Sequence, residues 1–438
     1  MKKSLLAVAA IGAFASAAQA QSSVTVYGIL DVGYIGSNAK EGTGGVNKIQ
    51  KSAFGQSAEQ TSRLGFKGTE DLGGGSSAFF TVELGLTPQN PNLSGGSAGD
   101  GLQQTTNGAG SAIDNRQSFV GLKKNGIGQF AFGRQYTPVF NTGAATSPGQ
   151  YNNVVGDVVY NGSSSAYFSG ATTASGNNNG LGFTNRASNA LTAQSDRFAG
   201  FQVGGMYALN NQNQSQTTSA AGATTGGNTN WNGWGLNGNF TWQKLYVGVA
   251  YQSFKTQYTS FQDTTTGNYN FGGNSVTGGV RIDNNGVLAN PNQTSDKQTL
   301  VGATYDFGIL KAYAQWVGRK VQNDTSLSVA QLTAGGSTAT SAVAAGEQLN
   351  RNAQQIGVRS YITPTIESWA SIGTGKIKST VGTASANFVG WQLGSNYYVS
   401  KRTNLYAIYG QTQTSSVSGN TGSGNGANQY AVGVRHTF

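Results

Sequence analysis

Along this chain apolar and polar side chains alternate with a period of two, in segment after segment. The last segment shows it most clearly. Tyr430, Val432, Val434, His436 and Phe438 share one face of an extended strand, and Ala431, Gly433, Arg435 and Thr437 share the other. Similar segments predict strands over 23–35, 61–69, 76–86, 115–124, 128–136, 182–194, 199–209, 233–243, 245–257, 297–307, 311–320, 351–361, 367–377, 387–399, 404–413 and 429–438. The connections are of two kinds. Some are tight: 70–75, Asn125-Gly126, Gln243-Lys244, 307–309, 363–365 and 400–402, most with Gly, Asn or Pro. Others are long and rich in Gly, Asn, Ser, Thr and Gln: 87–114, 137–181, 210–232, 258–296, 321–350 and 414–428. One rim of short turns and one of long loops suits a barrel wall with lipid outside and water inside. A series of soluble β-domains would need a core for each and would show connections of mixed length. The expected fold is therefore all-β, a 16-stranded antiparallel transmembrane β-barrel.

The N-terminus sets the compartment. Lys2 and Lys3 precede an apolar run from Leu5 to Ala15, and Ala18-Gln19-Ala20 puts small residues around a cleavage point. That is a signal peptide over 1–20, with the barrel expected over 21–438. The run is well short of the roughly 20 residues that a spanning helix needs. There are no cysteines, so neither disulfides nor thiolate metal sites enter the fold. Charged residues make up 10% of the chain, against about 25% in ordinary soluble domains. The net charge is nevertheless +10. Export and the absence of clustered basic runs argue against a nucleic-acid partner and for an anion-attracting cavity. Gly is abundant (66) and Pro scarce (6), as strands that tilt and bend require. Tyr207, Trp242, Tyr246, Tyr251, Trp316, Trp369, Trp391, Tyr397, Tyr398, Tyr406 and Tyr409 fall mostly near expected strand ends, where interfacial girdles would place them.

Several phrases carry a resemblance. Ser22-Ser23-Val24-Thr25-Val26-Tyr27-Gly28-Ile29-Leu30-Asp31 looks like a first strand, and Ser62 to Gly73 (SRLGFKGTEDLG) like a second strand with its turn, of the Gram-negative general porins. Asn115 to Leu122 (NRQSFVGL), Phe132 to Pro138 (FGRQYTP), Ser400-Lys401-Arg402-Thr403 and the closing Val434-Arg435-His436-Thr437-Phe438 continue the match in order, within the betaproteobacterial, anion-preferring branch. Thr437 departs from the basic or bulkier residue usual there, and the long loops match poorly. The resemblance implies a homotrimeric diffusion channel of the bacterial outer membrane whose third extracellular loop, here about 137–181, folds inward to narrow the pore. It implies as partners small hydrophilic solutes, outer-membrane lipid and lipopolysaccharide, and the barrel assembly machinery, which would read the terminal Phe438.

Such a channel works by sieving and by the field of side chains at a constriction, where low-dielectric walls focus it. Arginine suits an anion path, being charged at any physiological pH and offering a fork of donors. Arg63, Arg116 and Arg186 resemble family positions facing the constriction. Alternation independently puts Arg63, Gly65 and Lys67 on one face and Leu64 and Phe66 on the other. Lys67 and Arg134 extend the basic lining. Between Thr137 and Leu181 the single acid is Asp157, an imbalance that predicts weak to moderate anion preference. Asp31 and Glu83 are expected at the lumen, or as partners of the wall arginines.

Enzyme chemistry is not expected. His436, the single histidine, lies on the lipid-side parity near the terminus, away from any nucleophile it would serve. No metal-ligand spacing or phosphate loop appears and no cofactor is expected, with calcium at loop carboxylates left open. Two rival readings stand beside the general channel. One is a solute-specific channel for an anionic nutrient or oligosaccharide, with Phe140, Tyr151, Tyr160, Tyr167 and Phe168 as the aromatic candidates of 137–181. The other is an adhesive surface protein using the long loops.

Overall fold

The computed structural model describes residues 23–41, 47–88, 114–160, 182–218, 224–258, 269–271, 274–276, 292–324, 345–346, 348–380, 385–414 and 426–438. The expected signal peptide, most of loops 87–114 and 258–296, Tyr167 and Phe168 lie outside the described residues.

The wall strands are β1 (Ser23–Glu41), β2 (Asn47–Gln56), β3 (Arg63–Gly73), β4 (Ser76–Gly85), β5 (Asn115–Lys124), β6 (Gly128–Tyr136), β7 (Arg186–Ser195), β8 (Phe201–Thr218), β9 (Thr224–Trp242) and β10 (Leu245–Tyr258). After a small hairpin of β11 (Tyr269–Phe271) and β12 (Asn274–Val276) come β13 (Asn292–Asp306), β14 (Lys311–Asn323), β15 (Gln348–Thr363), β16 (Ile366–Ser379), β17 (Ser385–Tyr398), β18 (Thr403–Thr414) and β19 (Gly426–Thr437). Seventeen of these form one antiparallel sheet that closes where β1 meets β19, with Asp31 opposite Arg435 and Ile29 opposite Thr437. Closure matters energetically, because a sheet edge in lipid would leave its N–H and C=O groups without partners. β2 and β3 both pair with β1, β2 beside Val32 to Glu41 and β3 beside Ser23 to Ile29. They are two halves of one wall position, so the barrel has sixteen.

β17 shows how sequence pattern becomes wall. Val389, Leu393 and Tyr397 are exposed, while Phe388, Gln392 and Asn396, one residue before each, are buried. The exposed set belongs to a band of large apolar side chains, including Val120, Phe132, Val203, Leu236, Val249, Ile356, Ile372, Leu405 and Val432, suited to lipid. No helix among the described residues is long and apolar enough to cross a membrane; the crossing elements are strands.

Three expectations are corrected. β2 falls where a connection was expected, because Asn47–Gln56 reads NKIQKSAFGQ, with lysines on both faces and no apolar alternation. The hairpins are also taller than predicted: β8 and β9 run to Thr218 and from Thr224, where a loop was expected over 210–232. About ten tilted residues cover the apolar band, and beyond it both faces are wet, so the alternation fades while the ladder continues. Four of the expected girdle aromatics, Tyr246, Trp369, Tyr398 and Tyr406, stand on the inner parity; Trp369 and Tyr406 are buried there.

A lumenal segment and an arginine wall

After β6 the chain leaves the wall. Thr137 caps a short helix, α1 (Pro138–Thr146), accepting from Phe140 N at 3.2 Å and donating to Thr184 O at 2.7 Å. Pro138 opens the helix, where its missing N–H costs nothing. Nine residues would barely hold as a helix in water, so tertiary contacts must keep it. The segment 137–160 receives them from the inner face of the barrel. Six inward glutamines on six strands hold backbone groups of this segment and of Thr184. Gln252 accepts from Val139 N (3.3 Å), Gln298 from Thr184 N (2.7 Å), Gln355 from Val158 N (3.0 Å) and Gln429 from Val155 N (3.0 Å). Gln315 donates to Gly143 O (2.6 Å), and Gln392 donates to Val154 O (3.0 Å) while exchanging two hydrogen bonds with Asn152. Neutral amides satisfy buried backbone without importing charge.

Behind these contacts lies a dry core. Val139, Tyr151, Val158, Val159 and Phe183 pack against the inward Ala250, Leu300, Val317, Ala353, Ile377 and Phe388. Glycines let the segment approach: a Cβ on Gly410 would collide with Val155 O. The turn at its tip is strained, with Gln150 at φ 52° and Tyr151 at φ 56°, a region costing roughly 1–2 kcal/mol per residue. Burial of Tyr151, stacked on Tyr160 with centroids 4.0 Å apart, offsets that. The segment thus lies against the arc from β10 to β19, and the arc from β3 to β7 completes the wall.

That arc carries the expected arginines. Arg116 Nε lies 2.8 Å from Glu83 Oε1, and its Nη2 donates to Tyr136 Oη at 2.7 Å. Arg63 is 3.8 Å from the other Glu83 oxygen, which also accepts from Tyr27 Oη at 3.1 Å. Arg186 lies over the Tyr136 ring at 5.7 Å, and Tyr136 stacks on Phe140 of α1 at 4.1 Å. Arg63, Arg116 and Arg186 are therefore gathered around Glu83 and Tyr136. Arg63 is the more open, its side chain 20% accessible against 5% for Arg116. Arg134 is buried, donating to Asn115 O (2.6 Å) and Ser188 Oγ (2.8 Å), so it ties wall strands together. Lys67 is exposed over the Tyr27 ring, four residues along β3 from Arg63 toward the short turns, about 13 Å away at strand rise.

Asp157 stands elsewhere than expected. It is buried, and accepts from Val159 N and Tyr160 N (2.9 Å each) and Ser147 Oγ (3.3 Å). Loss of hydration raises its pKa, against the pull of those hydrogen bonds. It shapes the segment's backbone and presents no charge to the open lumen. The exposed residues of 137–160 are Asn141, Ala144, Ala145 and Gln150, none charged. Asp31 is fully buried and accepts from Tyr406 Oη at 2.6 Å. Glu83 combines both expected roles, inward and paired.

Sequence reasoning missed three inward arginines, each held against an acid, a ring or the segment. Arg319 grips Asp296 through two bonds (3.1 and 2.7 Å). Arg359 pairs with Glu367 at 2.7 Å, lies 4.8 Å over Trp369 and donates to Pro148 O. Arg351 donates to Val158 O beneath the segment and lies 5.0 Å from the Phe388 ring. Inward parity was legible for all three. That a folded-in segment would cover Arg351 and Arg359 was not. His436 is exposed beside Thr403, whose Oγ1 is 2.9 Å from Nδ1. Among the described residues no cluster of three or more His, Cys, Asp or Glu could hold a metal.

The sequence pattern of the Gram-negative porins matches residues 7–417. The chain belongs to that family. It is an outer-membrane porin, a water-filled channel for the passive diffusion of ions and small hydrophilic solutes, and porins are channels rather than enzymes. An outer membrane porin protein of Bordetella pertussis is 29% identical over the full length of both chains. Outer membrane porin protein 32 of Delftia acidovorans is 30% identical over 52% of this chain and 55% of its own length. Among solved structures, an anion-selective porin from Comamonas acidovorans superposes with a TM-score of 0.60 at 20% identity, covering 95% of this chain and all of that one. At that identity the likeness speaks for the fold alone.

Proposed function

We propose that this porin prefers anions weakly to moderately, and that its constriction lies between the Arg63–Arg116–Arg186 wall and the segment 137–160. One observation carries the reading: Arg63, partly open beside the buried Arg116 and Arg186, faces a segment that exposes no charge. Glu83 cancels one of the two arginines it touches, leaving one net positive charge before Arg186 is counted. Lys67 extends the positive lining toward the short-turn rim. The Comamonas acidovorans channel that shares this fold is an anion-selective porin, which agrees. The test is the reversal potential of the purified channel in a KCl gradient; a strongly cationic reversal potential refutes the preference.

The reading extends to a mature chain of 21–438 after removal of 1–20, a homotrimer, and contacts with lipopolysaccharide and the barrel assembly machinery through Phe438. Support for the last is local: Phe438 N and O both pair with Gly28 (3.2 and 3.1 Å), and the ring stays exposed. No cofactor is required. The passive reading is preferred to a solute-specific one, because the rings of Phe140, Tyr151, Tyr160 and Phe183 are turned onto one another. Micromolar solute blocking the current would reverse that preference.

A further inference from the structure

The wall position shared by β2 and β3 is broken by six residues, Ser57-Ala58-Glu59-Gln60-Thr61-Ser62, that leave the ladder and turn into the lumen. β1 keeps its course beside them and supplies the anchor. Asp31 Oδ2 accepts from Glu59 N (2.8 Å) and Gln60 N (2.6 Å). Asp31 O accepts from Ser57 N (2.9 Å), and Asp31 N donates to Ser62 Oγ (3.0 Å). Ser57, at φ 61°, starts the turn, and its Oγ accepts from Ser62 N at 2.9 Å to close it. Glu59 reaches across the barrel seam, where Asn404 donates to it at 3.0 Å and Arg435 lies at 3.4 Å. This is a built feature with nearly every polar group paired.

The turn has one further set of contacts, to the segment 137–160. Asn153 N donates to Ala58 O (2.9 Å), and Asn153 Nδ2 donates to Ser57 O (2.7 Å) and to Thr61 Oγ1 (3.3 Å). The glutamine contacts fasten the segment to β10 through β19. Among the hydrogen bonds of the described residues, Asn153 alone joins it to the β1–β3 side. The same turn orients the wall, because Arg63 Nε donates to Thr61 O at 2.9 Å.

We infer that the turn 57–62, clamped by Asp31, is the wall-side jaw of the constriction, and that Asn153 is the positioning residue closing the aperture against it. The inference rests on the proposed constriction at 137–160. With Asn153 detached, the segment would keep its far-side mounting and swing at its near edge, so the aperture would fluctuate.

The test uses single-channel recording of the assembled full-length porin. Asn153→Ala removes two side-chain hydrogen bonds and no charge. It is expected to raise the population of the detached state roughly tenfold or more. Excess open-channel current variance is proportional to a minor population, so it should rise by a similar factor while the reversal potential stays at the parental value. Variance within about twofold of the parent would overturn the inference. The chain has no cysteine, so Ala58→Cys with Asn153→Cys gives a single possible cross-link. Reduced, this pair should be as noisy as Asn153→Ala; oxidised, it should fall quiet at parental conductance. A cross-linked channel with markedly altered conductance would show that the two sides do not meet in the open pore and would also overturn the inference. Arg63→Glu, recorded in parallel, separates the two claims. If it leaves the reversal potential unchanged, the constriction itself is misassigned. If it shifts the potential while Asn153→Ala stays quiet, the inference alone fails.

Discussion

Arg63→Glu is the sharpest perturbation of the proposed pore. Arg116 remains 2.8 Å from Glu83, so the buried carboxylate keeps its main partner and the wall should still assemble. The local balance of Arg63, Arg116 and Glu83 moves from +1 to −1. A monovalent ion passing about 7 Å away feels each unit charge at about 0.6 kcal/mol in water. Screening over a Debye length of about 8 Å leaves about 0.25 kcal/mol. A change of two charges raises the anion and lowers the cation by about 0.5 kcal/mol each, about 1 kcal/mol between them. That is about a fivefold change in permeability ratio toward cations. Lower effective dielectric near the wall would enlarge it, and high salt should shrink it. The assay is the zero-current potential across a KCl gradient at low and at high ionic strength. An unchanged potential at both would refute the reasoning, because no charge this close to the ion path can be invisible to it.

Asp157→Asn should barely move the reversal potential, since the carboxylate faces the segment's own backbone, and a shift as large as that of Arg63→Glu would place it in the ion path after all. Its raised pKa also fixes a sign: the folded segment holds the proton more tightly than the unfolded chain, so this group's contribution to stability is full at pH below the ordinary carboxylate value and is lost as pH rises through the raised one. Thermal denaturation of parent and Asp157→Asn across that window should differ in slope in that sense. Gln392→Leu keeps the volume but strips the partners of Asn152 and Val154 O, at roughly 1–3 kcal/mol for each group left unpaired, and should produce conductance substates in single-channel records. Gly410→Leu drives a side chain into Val155 O and should displace the segment, seen as raised conductance with the barrel still heat-resistant on gels. Deleting Phe438 should lower the yield of assembled channels far more than their unitary conductance.

Period-two alternation, the two classes of connection and the charge deficit were enough to read a sixteen-position barrel, its lipid and water faces and its closing strand. Those properties are local: each residue's side is set by parity, and lipid outside forces the apolar half outward. Arg63 was legible for the same reason; Arg116 and Arg186 came from the family resemblance, because the ladder shifts register beside each of them and alternation alone puts Arg116 on the face of Val120. What folds into the lumen was not legible. Asp157 was read as a pore charge, yet it is buried, and Arg351 and Arg359, on the inner parity, lie against the segment. The six glutamines lie on the inner parity, but their common task was not legible there. Each outcome depends on where 137–160 comes to rest against strands up to 274 positions away, as between Val155 and Gln429. The same holds for the turn 57–62, whose anchor Asp31 and contact Asn153 lie on opposite sides of it in sequence. Alternation along the chain settles which way each wall residue faces. Which inward residues meet water, and which are sealed behind the segment, is settled in three dimensions, because a strand's parity is local whereas burial is made by partners distant along the chain.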